Sequence, residues 1–390
     1  MACYISSNQN RFYATLESSF GAVVAATADN RIPAIRLGIQ HETVQGPRRD
    51  KTGSRTRGGI PSGARTRTQY QLGTYMTNWG NISAEPSYGP LIRGALGAAP
   101  LLDAGKSVSS VGGNNQVTFG AAHGLAAGQA VSFGGEIRFV AAIINVNTVE
   151  LNAPFSLTPT GGSPLNPTIT YGPATMLPSV SVYDYWSPAT AVQRVLSGVG
   201  VDRMKIKVNA DYHEFEFAGD ARDLIDSASF ASGVAGLSAF PPEPAIAGLN
   251  YNIIPGHIGQ VWIGAAPSQF FTLIDAEIEI KNNVDMRKRE FGYAGPTCIA
   301  AGEREVGIKF TLYEKDDAAT IGLYQAAKNH TPISIMIQLG QSAGQLCGVY
   351  LPAVVPEVPA FDDRQPRLEW NFSLSSAQGS ADDEIQIAFA

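Results

Sequence analysis

The side chains able to do chemistry are few and scattered. The five histidines, His41, His123, His213, His257 and His330, stand in no HExxH, HxxxH or HxH arrangement. The three cysteines, Cys3, Cys298 and Cys347, are widely separated and odd in number, so they read as free thiols and not as a disulfide framework or zinc knuckle. A metal site needs several such ligands at set spacings, so no metal and no cofactor are expected. The sequence has no GxSxG elbow and no GxxxxGK[ST] loop, and Gly112-Gly113 and Gly134-Gly135 read as turns. Acidic pairs recur at Glu214/Glu216, Asp316/Asp317, Asp362/Asp363 and Asp382/Asp383. Glu214 and Glu216 are two apart, hence on one face of a strand. That spacing could serve glycoside hydrolysis, and it equally describes a solvated strand face. With no catalytic residue to name, no enzyme is expected.

The one dense feature is basic. Between Arg48 and Arg67 the chain carries Arg48, Arg49, Lys51, Arg55, Arg57, Arg65 and Arg67 against a single Asp. Such a stretch repels itself and has little apolar surface to bury, so it reads as an exposed loop. A second basic loop holds Arg287, Lys288 and Arg289. The whole chain is nevertheless acidic, with 28 basic and 34 acidic residues in 390, which argues against a general nucleic-acid coat. No stretch of 18 apolar residues exists, so no helix inserts in a membrane, and Arg11 and Glu17 break up any signal-peptide core.

The elements that must carry these loops are mostly strands. The 41 Gly and 24 Pro make the chain turn-rich and favour short strands over long helices. Ile35–Ile39 and Thr68–Leu72 alternate apolar and polar on either side of the first basic loop. Ser179–Trp186, Met204–Val208, Phe215 with Phe217, Ala276–Asn282 and Glu303–Lys315 do the same, and four further strands follow in 333–339, 346–351, 367–374 and 384–389. Three short helices are expected: Tyr88–Leu96 capped by Gly97, one opened by Ser187-Pro188 and closed by Gly198, and one from Asp317 to Asn329. Between Gly105 and Tyr171 only Lys106, Glu136, Arg138 and Glu150 are charged, and turn signals recur about every 8–12 residues. This reads as an inserted small all-β module.

The order strand, basic loop, strand, helix, strands occurs twice. The expected organisation is therefore a first unit, 1–103 with 173–226, an insert at 104–172, a linker at 227–269 and a second unit at 270–390. The fold class is mainly β, with two sandwich units and short flanking helices.

Several runs resemble tail tube proteins of long-tailed bacteriophages: Asn10-Arg11-Phe12-Tyr13, Arg31-Ile32-Pro33-Ala34, the run Arg48–Arg55, Tyr75-Met76-Thr77, and Glu85-Pro86-Ser87-Tyr88-Gly89-Pro90-Leu91, with the closing half from Ile278 to Phe389. The stretches His123-Gly124-Leu125, Arg138-Phe139-Val140 and Leu151–Phe155 are similar to a small β-barrel module found inside other phage proteins. The resemblance implies a virion tail protein assembled in the host cytoplasm. Its copies would form rings, trimeric with pseudo-sixfold symmetry or hexameric, stacked around a lumen that conducts double-stranded DNA without sequence-specific binding. Tail terminator, tape measure and distal tail proteins would be its other partners. The acidic balance suits such a conduit, since a basic lumen would hold phosphates. The first basic loop would then serve ring stacking, packing on acidic patches of the neighbouring ring. A distal tail or baseplate hub ring, or a glycan-binding tail component, is the alternative.

Overall fold

The computed structural model describes residues 4–44, 51, 53–55, 65–79, 84–113, 115–209, 211–246, 252–264, 266–287 and 290–390. Alternating sequence becomes two-faced strand throughout. In Glu305–Tyr313, Val306, Ile308, Phe310 and Leu312 are buried while Glu305 and Lys309 face out. Eight strands join edge to edge in one antiparallel inner sheet. Its order is Ala34–Val44, Arg65–Tyr75, Glu214–Ala221, Arg194–Val208, Leu273–Lys281, Glu305–Tyr313, Glu369–Ala377 and Ala360–Asp362. The first four come from the N-terminal part of the chain and the last four from the C-terminal part. The join between them is Arg203–Val208 against Ala276–Lys281.

Behind this sheet lie two shorter outer arrays. In the first half Asn10–Leu16 pairs with Val180–Trp186, which pairs with the start of Arg194–Val208, which pairs with Asp223–Asp226. In the second half Gly259–Gly264, Ile333–Leu339, Cys347–Val355 and Gln386–Phe389 pair in the same succession. Even a register shift is shared: it falls between Ala34 and Arg36 in one hairpin and between Leu273 and Asp275 in the other. The main core fills the space between inner and outer strands, with Leu72, Phe215, Phe217, Ile278, Phe310 and Phe372 among its members.

Two helices close the ends of this core. Helix α1, Gly89–Leu96, stops at Gly97, whose φ of 103° suits glycine. It is buried almost all round, and a Cβ at Gly94 would come within 2.9 Å of Val201. Helix α2, Ala318–Lys328, starts where Asp317 accepts a hydrogen bond from the Thr320 N–H, and it buries only Thr320, Leu323 and Ala327.

The inserted segment forms a separate five-stranded sheet ordered Val108–Val111, Gln116–Phe119, Thr148–Leu151, Glu136–Asn145 and Ala130–Phe133. It has its own core around Val117, Phe119, Val131, Val140 and Val149. Its stem is woven into the second half. Thr168–Tyr171 pairs on one side with Leu101–Asp103 and on the other with Gln386–Phe389.

Two expectations are corrected. Residues 187–198 do not form a helix. Arg194 begins a 15-residue strand, and Gly198, at φ 58°, sits in a bulge of that strand and not at a helix end. Residues 227–269 are not all connection, because Gly259–Gly264 is a strand of the second outer array.

Candidate functional site

The inner sheet has one face on the core and one open face. Period two decides what the open face carries. Across three neighbouring strands it presents Glu214 and Glu216, then Arg203, Lys205 and Lys207, then Glu277, Glu279 and Lys281. Acid faces base at Lys205 and Lys207 on both sides, while Arg203 stands opposite Lys281. Lys207 Nζ lies 2.9 Å from Glu216 Oε1 and 3.7 Å from Glu214 Oε2. Lys205 Nζ lies 2.7 Å from Glu277 Oε1, with Glu279 at 3.7 Å. Arg203, Lys281 and Arg36 reach Glu279, Glu305 and Glu216 at 3.8, 3.3 and 3.4 Å.

The protonation states follow. Partial burial works to raise the Glu216 carboxyl, but the Lys207 hydrogen bond and the charges of Lys207, Arg36 and Lys205 outweigh it and hold it below the usual carboxylate range. Lys207 is raised in turn, chiefly by its hydrogen bond to Glu216. A general acid for glycoside hydrolysis needs a raised carboxyl, so this carboxylate, sharing Lys207 with Glu214, has the opposite tuning. Among the described residues no group of three or more His, Cys, Asp or Glu is placed to hold a metal ion.

The basic loops land partly on this sheet. Arg48, Arg49 and Arg57 of the first loop, and Lys288 and Arg289 of the second, lie outside the described residues. Lys51 and Arg55 are exposed. Arg65 and Arg67 belong to the strand Arg65–Tyr75 and not to a loop, which places the root of the hairpin beyond the expected end of the strand. The roots of the two loops meet there. The Thr66 N–H donates to the Ala294 carbonyl at 2.9 Å, Arg65 donates to the Glu290 carbonyl at 3.5 Å, and Arg287 Nη1 lies 3.5 Å from Glu290 Oε1. Arg67 Nε is 3.8 Å from Asp220 Oδ1. The cysteines behave as free thiols where described: Cys347 is buried, Cys298 half-buried, and Cys3 lies outside the described residues.

The charge ladder escaped the sequence reading, apart from the strand face of Glu214 and Glu216. Each strand alone shows only an ordinary polar face. The signal is the sign change between strands that are distant in sequence, which becomes visible once the pairing is known.

Both outermost strands of the sheet carry exposed apolar groups, and Leu374 is exposed on the adjacent strand Glu369–Ala377. Ile35 and Val44 are exposed on Ala34–Val44, and Phe361 is 57% exposed on Ala360–Asp362. Among the described residues each of these strands is hydrogen-bonded on one side only.

The hybrid solid-state NMR and cryo-EM structure of the SPP1 tail tube is similar over 33% of this chain and 81% of that one, at 14% identity and a TM-score of 0.25. No curated protein matches the chain. The family model for phage tail tube proteins matches residues 7–390. The chain therefore belongs to the phage tail tube family, and is a structural, non-enzymatic component of a virion tail.

Proposed function

We propose that the chain is the repeating subunit of the tube wall, and that three copies form a ring of pseudo-sixfold symmetry whose lumen conducts double-stranded DNA during genome ejection. The pairing succession that runs twice along the chain supports two tube-like units per subunit. The open face of the inner sheet is the lumen wall. The observation that carries this reading is the charge ladder. A cation already engaged by one or two carboxylates has little to offer a phosphate, because binding would require breaking those pairs as well as releasing counterions. A face of alternating, mutually neutralised charge keeps DNA hydrated and moving.

On this arrangement the inserted module lies outside the tube, since it packs on the outer array's far side. The two loop roots gathered at Glu290 lie at one end of the inner sheet, where the next ring would stack. Tail terminator, tape measure and distal tail proteins are the further partners, and assembly takes place in the host cytoplasm.

The test is a triple reversal, Glu216→Lys, Glu277→Lys and Glu279→Lys, in assembled particles. Tails of normal length should form, DNA release should slow, and added salt should restore it by screening. Unchanged release from normal tails would overturn the lumen assignment. A ring reconstruction with six chains would overturn the trimer, and a single ring per particle would point to a hub.

A further inference from the structure

We propose that a ring closes through one defined strand joint: Ala360–Asp362 of one copy adds antiparallel to Gly38–Gln40 of the next, with Phe361 opposite Ile39. This inference rests on the ring reading above and names its contact. It comes from the joint already present inside the chain, where Arg203–Val208 meets Ala276–Lys281.

The two halves align residue by residue through their register shifts. Each shift spans three residues, Ala34 to Arg36 and Leu273 to Asp275, so Ile39 occupies the place of Ile278. Following the ladders inward, Leu72 matches Phe310, Phe217 matches Phe372, and Phe215 matches Trp370. The pair Tyr75 and Glu214 matches Tyr313 and Glu369 with residue types unchanged. One strand further, Ile206 stands opposite Phe215 and Phe361 opposite Trp370. Phe361 is therefore the counterpart of Ile206, whose partner across the internal joint is Ile278. Transferring that partner gives Phe361 opposite Ile39, Ala360 opposite Gln40 and Asp362 opposite Gly38 in the neighbouring copy.

Exposure agrees. Ile206 and Ile278 are fully buried at the internal joint, whereas Phe361 is 57% exposed and Ile39 is only half-buried. An apolar side chain at a core register and lacking cover is what a missing neighbour leaves behind. Phe361 is also held ready, stacked on Trp370 at 5.5 Å between centroids. Charge agrees as well: Arg36 would lie diagonal to Asp362, within reach of a long side chain. The contact is short. Pro359 and Pro366 flank its strand and can donate no ladder hydrogen bond, a device that keeps free edges from pairing indiscriminately. A second copy is the one occupant whose edge carries the matching register.

The test uses a background with Cys3→Ser and Cys298→Ser, into which Gln40→Cys and Ala360→Cys are introduced. Directly opposed residues of antiparallel strands have Cα atoms about 4.5–5.5 Å apart, within disulfide range. Oxidation of assembled material should give covalent species that stop at three copies, and the linked peptides should be those carrying the substitutions at Gln40 and Ala360. Either single variant should stay uncrosslinked. Tubes that form normally, yet yield no crosslink or one confined to another register, would overturn the joint and leave the tube reading standing. Failure of the wild-type protein to form any ring would overturn both.

Discussion

The outer arrays of the two halves have the same strand pairing and opposite kinds of cover. In the first half a row of Tyr13, Tyr183, Val195 and Ile225 faces away from the main core. In the second half the corresponding row is Trp262, Met336, Tyr350 and Gln386. Both rows are largely apolar, and a sheet buried on one face by a sandwich still exposes the other. The first row is covered by neighbouring chain: Val23 and Ala26 from one loop, Phe230, Val234 and Phe240 from the long connection. The second is covered by the inserted module through Ala130, Ile137, Phe139 and Ala153, with Phe139 stacked on Tyr350 at 5.2 Å. The inserted module thus does for one half what a connecting segment does for the other.

The polar anchors differ in the same way. On the first face Tyr13 donates to Glu243 Oε1 at 3.1 Å, Arg11 Nη2 to Glu243 Oε2 at 2.7 Å, and Tyr185 to the Pro241 carbonyl at 3.1 Å. Glu243, which holds two of these bonds, is only half-buried. On the second face the anchor is central. Arg138 is fully buried, 3.1 Å from Glu136 Oε2, and donates to the Pro154 carbonyl, Gln260 and Gln338. Its guanidinium lies 5.2 Å from the Trp262 ring and 5.4 Å from that of Phe155.

The largest expected effect comes from removing the second cover. Deleting 105–166 with a short Gly-Ser bridge keeps Leu101–Asp103 and Thr168–Tyr171 but bares Trp262, Met336 and Tyr350. We expect a folded second half with a lowered Tm and a tendency to aggregate. Extending the deletion to 104–172 also strips the strand that pairs with Gln386–Phe389 and exposes that ladder, so soluble protein should be lost. Equal soluble yield and equal Tm for both deletions and the full chain would mean the module is only an appendage.

The next effect is a single side chain. Arg138→Ala leaves Glu136 buried without its partner, and breaking such a pair costs about 3–5 kcal/mol, read as a shift in denaturant midpoint. Burial works to raise the Glu136 carboxyl, but hydrogen bonds from Ser156 and Gln260 and the charge of Arg138 keep it below its ordinary value. The sign follows: a carboxyl held low in the folded state stabilises above its unfolded pKa and loses that contribution as pH falls through the folded one. The docking should therefore weaken in acid, and Glu136→Gln should flatten that part of the pH profile.

Much of the fold is legible in sequence because the strands facing solvent alternate. Glu305–Tyr313 and Leu273–Lys281 keep one polar face, so their period is visible. Arg194–Val208 was the hard one. Its first residues are buried on both faces, which erases the alternation, and Pro188 and Gly198 then imitate helix ends. Gly259–Gly264 hides among glycines and prolines. The docking of the insert was invisible for a different reason: Glu136 and Arg138 look like surface charges until their partners Gln260 and Gln338, more than a hundred residues away, are in place. The candidate site was legible only as far as Glu214, Glu216 and the basic residues, since the ladder exists between strands and not within them.

The smallest effect tests whether the two covers are independent. Phe240 packs half-buried over the first face, edge-on to Phe230 at 6.1 Å. Phe240→Ala removes a ring that is partly wet already, so its cost should be about 1–2 kcal/mol, below the 3–5 kcal/mol of a fully buried phenylalanine. The two covers share no residue: Phe240 packs on the cluster of Tyr13 and Tyr185, whereas Arg138 lies against Trp262 of the other. Substitutions at distant sites without common partners usually add within about 0.3–0.5 kcal/mol. The double variant Phe240→Ala with Arg138→Ala should therefore lose the sum of the single losses. Both halves nevertheless share the inner sheet, and their ladders meet at Ile206 and Ile278. If loosening one cover strained that sheet, the other would feel it, and the double variant would depart from the sum by more than about 0.5 kcal/mol. Additivity means that each half keeps its own cover and the inner sheet is stiff enough to isolate them, while coupling means that the insert also steadies the first half through the sheet they share.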